Sequence, residues 1–184
     1  ALPRLKEISE QWLKSKQGHE KGFSLGFFSE EYIVNFKIAV VERNGEIQAF
    51  ANFWTSADKN EVSPDMMRYM DNAPSDTMEF LFLNLILWAK EEGYAYFDLG
   101  MAPLSGVRGG PHGSLWGRTA EMLYEYGNVF YNFQGLREYK EKYKPIWESR
   151  YVAFPHELSL PAVLAAAAVL ISKGPRGIKP VVVK

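Results

Sequence analysis

The chain has 184 residues and contains no cysteine. This absence excludes disulfides, thiolate zinc sites and catalysis by a thiol. Histidine is also scarce, since only His19, His112 and His156 occur and none of them stands at the spacing of metal ligands. The sequence therefore predicts no metal site and no cofactor chemistry that depends on one.

A long apolar run is also missing. The longest one extends from Leu160 to Ile171 and has 12 residues, whereas a helix that crosses a bilayer requires roughly 20. This alanine-rich stretch predicts a core helix or, alternatively, a helix that rests on a membrane surface. The charged N-terminal region shows no signal peptide, and the start without methionine suggests a segment of a longer protein.

Charge is unevenly distributed along the chain, although the net charge is only −1. Residues 1–133 contain 12 basic and 18 acidic residues, and residues 134–184 contain 9 basic and 4 acidic residues. The C-terminal quarter is therefore positively charged, which predicts an anionic partner that binds from one side.

Hydrophobic periodicity predicts one α/β domain over residues 1–174 and a flexible tail over 175–184. An amphipathic helix begins at Leu2, and Asn44-Gly45 predicts a hairpin between strands 36–43 and 46–55. The elements predicted after this hairpin are a strand at 62–70, an apolar and buried helix at 77–92, a strand at 94–99, a loop at 100–113, helices at 117–130 and 134–143, a strand at 147–154 and a last helix to residue 172. This order is that of a GNAT-like acyltransferase fold, with a mixed central sheet flanked by helices.

Asp65 and Arg68 are the first candidate site residues. Their separation by three would place them on opposite faces of a regular strand, so a bulge at Pro64 is required to bring them to one face. Together they could receive an ammonium group or a proton and hold a carboxylate or a phosphate. The alternative is a surface ion pair.

Glu79 interrupts the apolar helix at 77–92 near its N-terminal turn. It could line a pocket for a cationic substrate, or it could simply interact favourably with the N-terminal end of the helix dipole. The glycine-rich loop at 100–113 could bind a phosphate through its backbone, but a plain connection is the alternative, and no coenzyme A loop is recognisable.

The segment Phe130–Trp147 interleaves aromatic and basic residues. A helix there would place Arg137, Lys140 and Lys144 on one face and turn Lys142 away from that face, with inward as its expected direction. Such a surface suits the end of a nucleic acid or anionic lipid headgroups. The alternative is a solvated helix with a Glu138–Lys142 pair.

Five segments together carry a resemblance to a known family. They are Ser63–Arg68, Met78–Leu81, Phe97–Gly106, Tyr131–Tyr143 and Pro145–Tyr151. Through these segments the sequence resembles the C-terminal catalytic domain of bacterial phosphatidylglycerol lysyltransferases, also described as aminoacyl-phosphatidylglycerol synthases or multiple peptide resistance factors. The resemblance implies the second half of a tandem GNAT-like pair.

The resemblance also implies a reaction and its residues. An aminoacyl group, most often lysyl, would pass from the acceptor end of a charged tRNA to the glycerol hydroxyl of phosphatidylglycerol, without a metal or redox cofactor. Asp65 and Arg68 match an Asp-x-x-Arg pair required for catalysis, and Lys142, with Lys140 as the alternative, matches a catalytic lysine. The matching substrate-binding positions are Glu79, Ser105, Arg137, Lys140, Lys144 and Arg150.

The implied setting is the cytoplasmic face of a bacterial membrane. The partners would be aminoacyl-tRNA, phosphatidylglycerol, and the transmembrane region and first GNAT-like half of the same protein, and the product would give resistance to cationic antimicrobial peptides. Where relatives carry charges in the last helix, this chain has Ala165 to Ala168. The alternatives are a peptidoglycan-bridge aminoacyltransferase and a catalytically silent module that binds tRNA or membrane.

Overall fold

The structure is a computed structural model that describes residues 1–16, 26–103 and 133–151, with scattered single positions from 153 to 170. The described residues from Ala1 to Gly100 belong to one compact unit, and those from Met101 onward belong mainly to a second. Ser105, the loop beyond Pro103, the helix expected at 117–130 and most of the last helix lie outside the described residues.

The first unit is built on a mixed sheet. Its strands β1 (Lys37–Arg43), β2 (Glu46–Thr55) and β3 (Glu61–Tyr69) are antiparallel neighbours, and the short β4 (Tyr96–Phe97) pairs parallel to β3. The predicted α/β class, with a mixed sheet flanked by helices, is confirmed. Asn44 and Gly45 have φ values of 54° and 81°, so the chain reverses between β1 and β2 through the positive-φ pair that Asn-Gly favours.

The helices cover opposite faces of this sheet. Helices α1 (Leu2–Ser15) and α2 (Glu30–Ile33) lie on one face, where Leu5, Ile8 and Ile33 pack with Phe50 and Met66. Helix α3 (Thr77–Glu91) covers the other face through residues spaced four apart, namely Leu81, Leu85 and Ala89. The core is therefore divided into two layers by the sheet.

Three expectations about these elements were wrong. Helix α3 is not buried all round, because Phe80, Leu83 and Leu87 on its outer face are 57%, 46% and 46% exposed. The strand expected at 94–99 is reduced to Tyr96–Phe97, and the two glycines on either side of it, Gly93 and Gly100, have positive φ. Residues 147–151 form no strand.

The second unit contributes helix α4 (Phe133–Glu141) to the described residues. It ends earlier than the predicted 134–143, because the backbone N–H groups of Tyr143 and Lys144 bond to carbonyls only three residues back and Lys144 has a φ of 49°. A residue with positive φ terminates a helix, and Pro145 follows it.

Candidate functional site

A bulge in β3 places Asp65 and Arg68 on one face of the sheet. Met66 is opposite Asn52 and Pro64 is opposite Phe53, so Asp65 is the extra residue between them. An extra residue reverses the alternation of side chains, and both Asp65 and Arg68 therefore lie on the face covered by α1 and α2, where Met66 also packs. The bulge expected near Pro64 is confirmed.

The Asp65 carboxylate is held by two donors that meet at the same oxygen. The Asn52 Nδ2 group donates to Oδ2 over 2.7 Å, and the Tyr32 hydroxyl donates to the same atom over 2.9 Å. Among the described residues, no hydrogen bond to Oδ1 occurs. The carboxylate is half-buried, so one of its oxygens is occupied and the other can accept a hydrogen bond from a ligand.

Tyr32 is a firm donor to this carboxylate. Burial, and then the hydrogen bond and the negative charge of Asp65, raise the pKa of Tyr32 to about 12. The hydroxyl therefore remains protonated throughout the physiological range. Its ring also stacks on Phe27 at 4.9 Å between centroids and contacts Phe36 at 4.7 Å, which fixes the ring plane.

Arg68 lies beneath α1 and is only 4% exposed. Its Nη1 group donates to the buried Ser9 Oγ over 2.6 Å, and its guanidinium carbon lies 5.0 Å from the centre of the Trp12 ring. The surface ion pair considered from the sequence is excluded by this burial. Arg68 thus shares a face with Asp65 but joins β3 to α1.

Glu79 is not brought beside Asp65. It is exposed in the first turn of α3, and α3 covers the opposite face of the sheet from α1 and α2. The position suits the favourable interaction of a carboxylate with a helix N-terminus.

In the second unit, the expectation that Lys142 points inward was wrong. Lys142 is exposed and its ammonium lies 5.5 Å from the Tyr139 ring centre. Lys140 is the inward residue, because it is 6% exposed and its Nζ donates to the Met101 carbonyl over 2.8 Å. That carbonyl comes from a distant part of the sequence, so the helical pattern alone did not identify it.

The other basic residues that the structure describes in this unit are exposed or partly exposed. Arg137 lies over the Trp147 ring at 3.5 Å and pairs with Glu141, whose carboxylate also accepts from Trp147 Nε1. Lys144 follows the end of α4 and is exposed. The expectation that it shares a helical face with Arg137 was therefore wrong. Arg150 is exposed and pairs with Glu148 at 2.9 Å.

A matched pair of substitutions tests whether Lys140, and not Lys142, is the buried lysine. Lys140→Met removes the donor to the Met101 carbonyl and should lower the free energy of unfolding by about 1–3 kcal/mol. Lys142→Met changes an exposed residue and should stay within about 0.5 kcal/mol. Thermal unfolding of the two variants measures both effects, and equal midpoints would contradict the burial of Lys140.

Sequence reasoning did not identify Tyr32 and Asn52 as site residues. It also missed Gly26, where a Cβ would lie 2.6 Å from both oxygens of Asp65. A signal for Asn52 was present, because it is the single polar residue in the stretch from Ala49 to Trp54, and a buried amide requires hydrogen-bond partners. No comparable signal marks Tyr32 or Gly26. Both come from the segment before β1, and only the tertiary fold brings that segment to β3.

Within the described ranges, no group of three or more histidine, aspartate or glutamate side chains is arranged to hold a metal ion. The same residues include no helix that is long and apolar enough to cross a membrane.

Comparisons with known sequences agree on one family. The family model described as "Phosphatidylglycerol lysyltransferase, C-terminal" matches residues 1–154. The phosphatidylglycerol lysyltransferase of Bacillus subtilis is 44% identical over 174 residues, which are 94% of this chain and 20% of that protein. The enzyme of the same name from Staphylococcus aureus strain COL is 37% identical over 86% of this chain. The chain therefore spans about a fifth of the length of these relatives.

Solved structures give the same result. A crystal structure of the C-terminal domain of a protein described as a lysylphosphatidylglycerol synthetase, from Agrobacterium fabrum, has a TM-score of 0.79 at 40% identity and covers 96% of this chain. L-PGS from Bacillus licheniformis has a TM-score of 0.77 at 42% identity. This chain covers 52% of each of those two chains.

Proposed function

Because this chain belongs to the family of C-terminal phosphatidylglycerol lysyltransferase domains, we propose that it takes part in lysyl transfer from lysyl-tRNA to the glycerol hydroxyl of phosphatidylglycerol. The observation that carries the proposal is the match to a curated lysyltransferase over 94% of this chain. The geometry adds a half-buried carboxylate with one oxygen available to a ligand.

The reaction exchanges one ester for another. The lipid hydroxyl oxygen attacks the aminoacyl carbonyl carbon, and the bond from that carbon to the ribose oxygen of the tRNA breaks. The hydroxyl proton must leave as the new bond forms, and the ribose oxygen must gain a proton as it departs. We propose that Oδ1 of Asp65 accepts the proton of the lipid hydroxyl, since a carboxylate positioned at a reacting hydroxyl can serve as a general base.

Arg68 has a supporting role in this proposal. Its guanidinium fixes the strand that carries Asp65 against α1, through Ser9 and Trp12. Glu79 is exposed at the start of α3, on the other face of the sheet from Asp65, and it keeps its proposed substrate-binding role there, away from the reacting ester.

In the second unit, we propose that the exposed Lys142, Lys144 and Arg150, together with Arg137, contact phosphates of the tRNA acceptor end or of the lipid headgroup. Exposed cations attract anionic lipid and nucleic acid in a salt-dependent manner. Ser105 and Lys140 keep their proposed substrate-binding roles, Lys140 through the backbone that it holds at Met101.

We propose that the domain lies at the cytoplasmic face of the membrane, joined to a transmembrane region and a first GNAT-like half of the same protein. The relatives are long enough for both, since this chain matches 20% of one and 52% of another. A lysyl group adds two ammonium groups to a lipid with one negative charge. The modified headgroup therefore repels cationic peptides, which explains a role in resistance to them.

The test is transfer of radiolabelled lysine from lysyl-tRNA to phosphatidylglycerol by the purified full-length protein reconstituted in vesicles of that lipid. We expect label in the lipid extract, and none when the vesicles contain only zwitterionic lipid. Label that appears only with a lipid-linked muropeptide would favour peptidoglycan-bridge synthesis, and no transfer with any acceptor would favour a silent module. A parallel reaction with alanyl-tRNA identifies the donor group.

A further inference from the structure

Asp65 is restrained from three directions by residues to which no role has been assigned. We propose that Asn52, Tyr32 and Gly26 are positioning residues that fix the orientation of the Asp65 carboxylate. Asn52 and Tyr32 hold Oδ2, Gly26 leaves the space that the group occupies, and Oδ1 remains as the reactive oxygen. This inference rests on the proposed function, because it specifies how the proposed base is oriented.

The first restraint is the convergence of two donors on one oxygen. Asn52 Nδ2 and the Tyr32 hydroxyl lie 2.7 Å and 2.9 Å from Oδ2. A carboxylate rotates about its Cβ–Cγ bond, and a single donor would leave the plane of the group free to turn. Two donors from different elements, β2 and the short helix α2, fix this plane, so that the second oxygen points away from both donors.

The second restraint couples the carboxylate to the bulge. Asn52 is fully buried, and its Oδ1 accepts a hydrogen bond from the Met66 backbone N–H over 3.2 Å. Met66 is the residue that follows the extra position. One amide side chain therefore fixes both the backbone of the bulge and the carboxylate it carries, which requires a donor and an acceptor in the same group.

The third feature is the close approach of Gly26, which has no side chain, to the carboxylate. A Cβ on Gly26 would lie 2.6 Å from both Asp65 oxygens, which is well inside van der Waals contact. Among the described residues, the glycines with positive φ are Gly45, Gly93 and Gly100, so Gly26 has a backbone conformation that other residues adopt. The carboxylate, and not the backbone, therefore requires glycine at this position.

The experiment measures kcat and KM for lysyl transfer by the full-length protein with Gly26→Ala, Tyr32→Phe or Asn52→Leu. Gly26→Ala pushes the carboxylate aside and should lower kcat by about 100-fold, the cost of a displacement on the order of 1 Å. Tyr32→Phe should lower kcat by about tenfold, since one hydrogen bond to the charged group is lost. KM should change little in both.

Two comparisons separate positioning from folding. Tyr96→Phe removes the hydroxyl of a tyrosine that is 62% exposed and should leave kcat and the unfolding midpoint unchanged. Combined with Asp65→Asn, the Tyr32→Phe change should cause no further loss, because residues that act through one group are not additive.

A wild-type kcat in Gly26→Ala would overturn the proposal. It would also be overturned if Tyr32→Phe lowered kcat in the Asp65→Asn variant by the same factor as in the wild type. A crystal structure of Gly26→Ala should show the carboxylate displaced in an otherwise unchanged fold, and an unmoved carboxylate would also overturn it. If the wild-type protein transfers no lysine, the proposed function fails as well, whereas an active wild type with an active Gly26→Ala variant overturns positioning alone.

Discussion

Asp65→Asn should reduce lysyl transfer by about 100-fold or more, which is the range that general base catalysis contributes. The substitution preserves the size of the side chain, and the amide oxygen can still accept from Asn52 and Tyr32 in place of Oδ2. The amide cannot accept a proton at neutral pH. The loss should therefore appear in kcat, with the unfolding midpoint nearly unchanged.

The matched control for this substitution is Asp71→Asn. Asp71 is an exposed aspartate just after β3, so the variant has the same change in charge without a change at the bulge, and its transfer rate should equal that of the wild type. Initial rates of radiolabelled lysine transfer by the full-length variants measure both effects. Undiminished transfer by Asp65→Asn would remove Asp65 from the reaction.

The bulge shows how far local sequence could predict this site. Pro64 has no N–H group to donate to a neighbouring strand. Asp65 and Arg68 are three positions apart, so they could lie on the same face only if the alternation of side chains along the strand was interrupted. Those two facts predicted a bulge that places Asp65 and Arg68 on one face, and the register of β2 and β3 confirms it. The hairpin at Asn44-Gly45 was predictable for the same reason, since its signal is contained in adjacent residues.

The errors concern contacts between distant parts of the chain. Whether Lys140 or Lys142 turns inward depends on the Met101 carbonyl, about forty positions away in sequence, and on where α4 ends. The outer face of α3 is apolar yet exposed, because composition shows that a helix is hydrophobic but not how many neighbours cover it. The donors to Asp65 were missed for the same reason, since Tyr32 is 33 positions from it.

The burial of Arg68 also changes its expected role, because a positively charged side chain with 4% exposure can destabilise the fold severely when its contacts are lost. Arg68→Ala removes the donor to Ser9 Oγ and the contact with Trp12 and leaves a cavity between α1 and β3. We expect a loss of about 2–4 kcal/mol in the free energy of unfolding.

Thermal unfolding of the purified chain measures this loss, which corresponds to a decrease of roughly 10 °C in the midpoint for a chain of this size. Arg43→Ala is the control, because Arg43 is exposed at the end of β1 and its removal should change the midpoint by no more than about 2 °C. Arg68→Lys should recover little, since an ammonium lacks the planar group that stacks on Trp12. Transfer should decrease together with stability, because α1 and the bulge strand are joined through this side chain. An Arg68→Ala variant with a wild-type midpoint and no transfer would instead place the guanidinium in contact with a substrate.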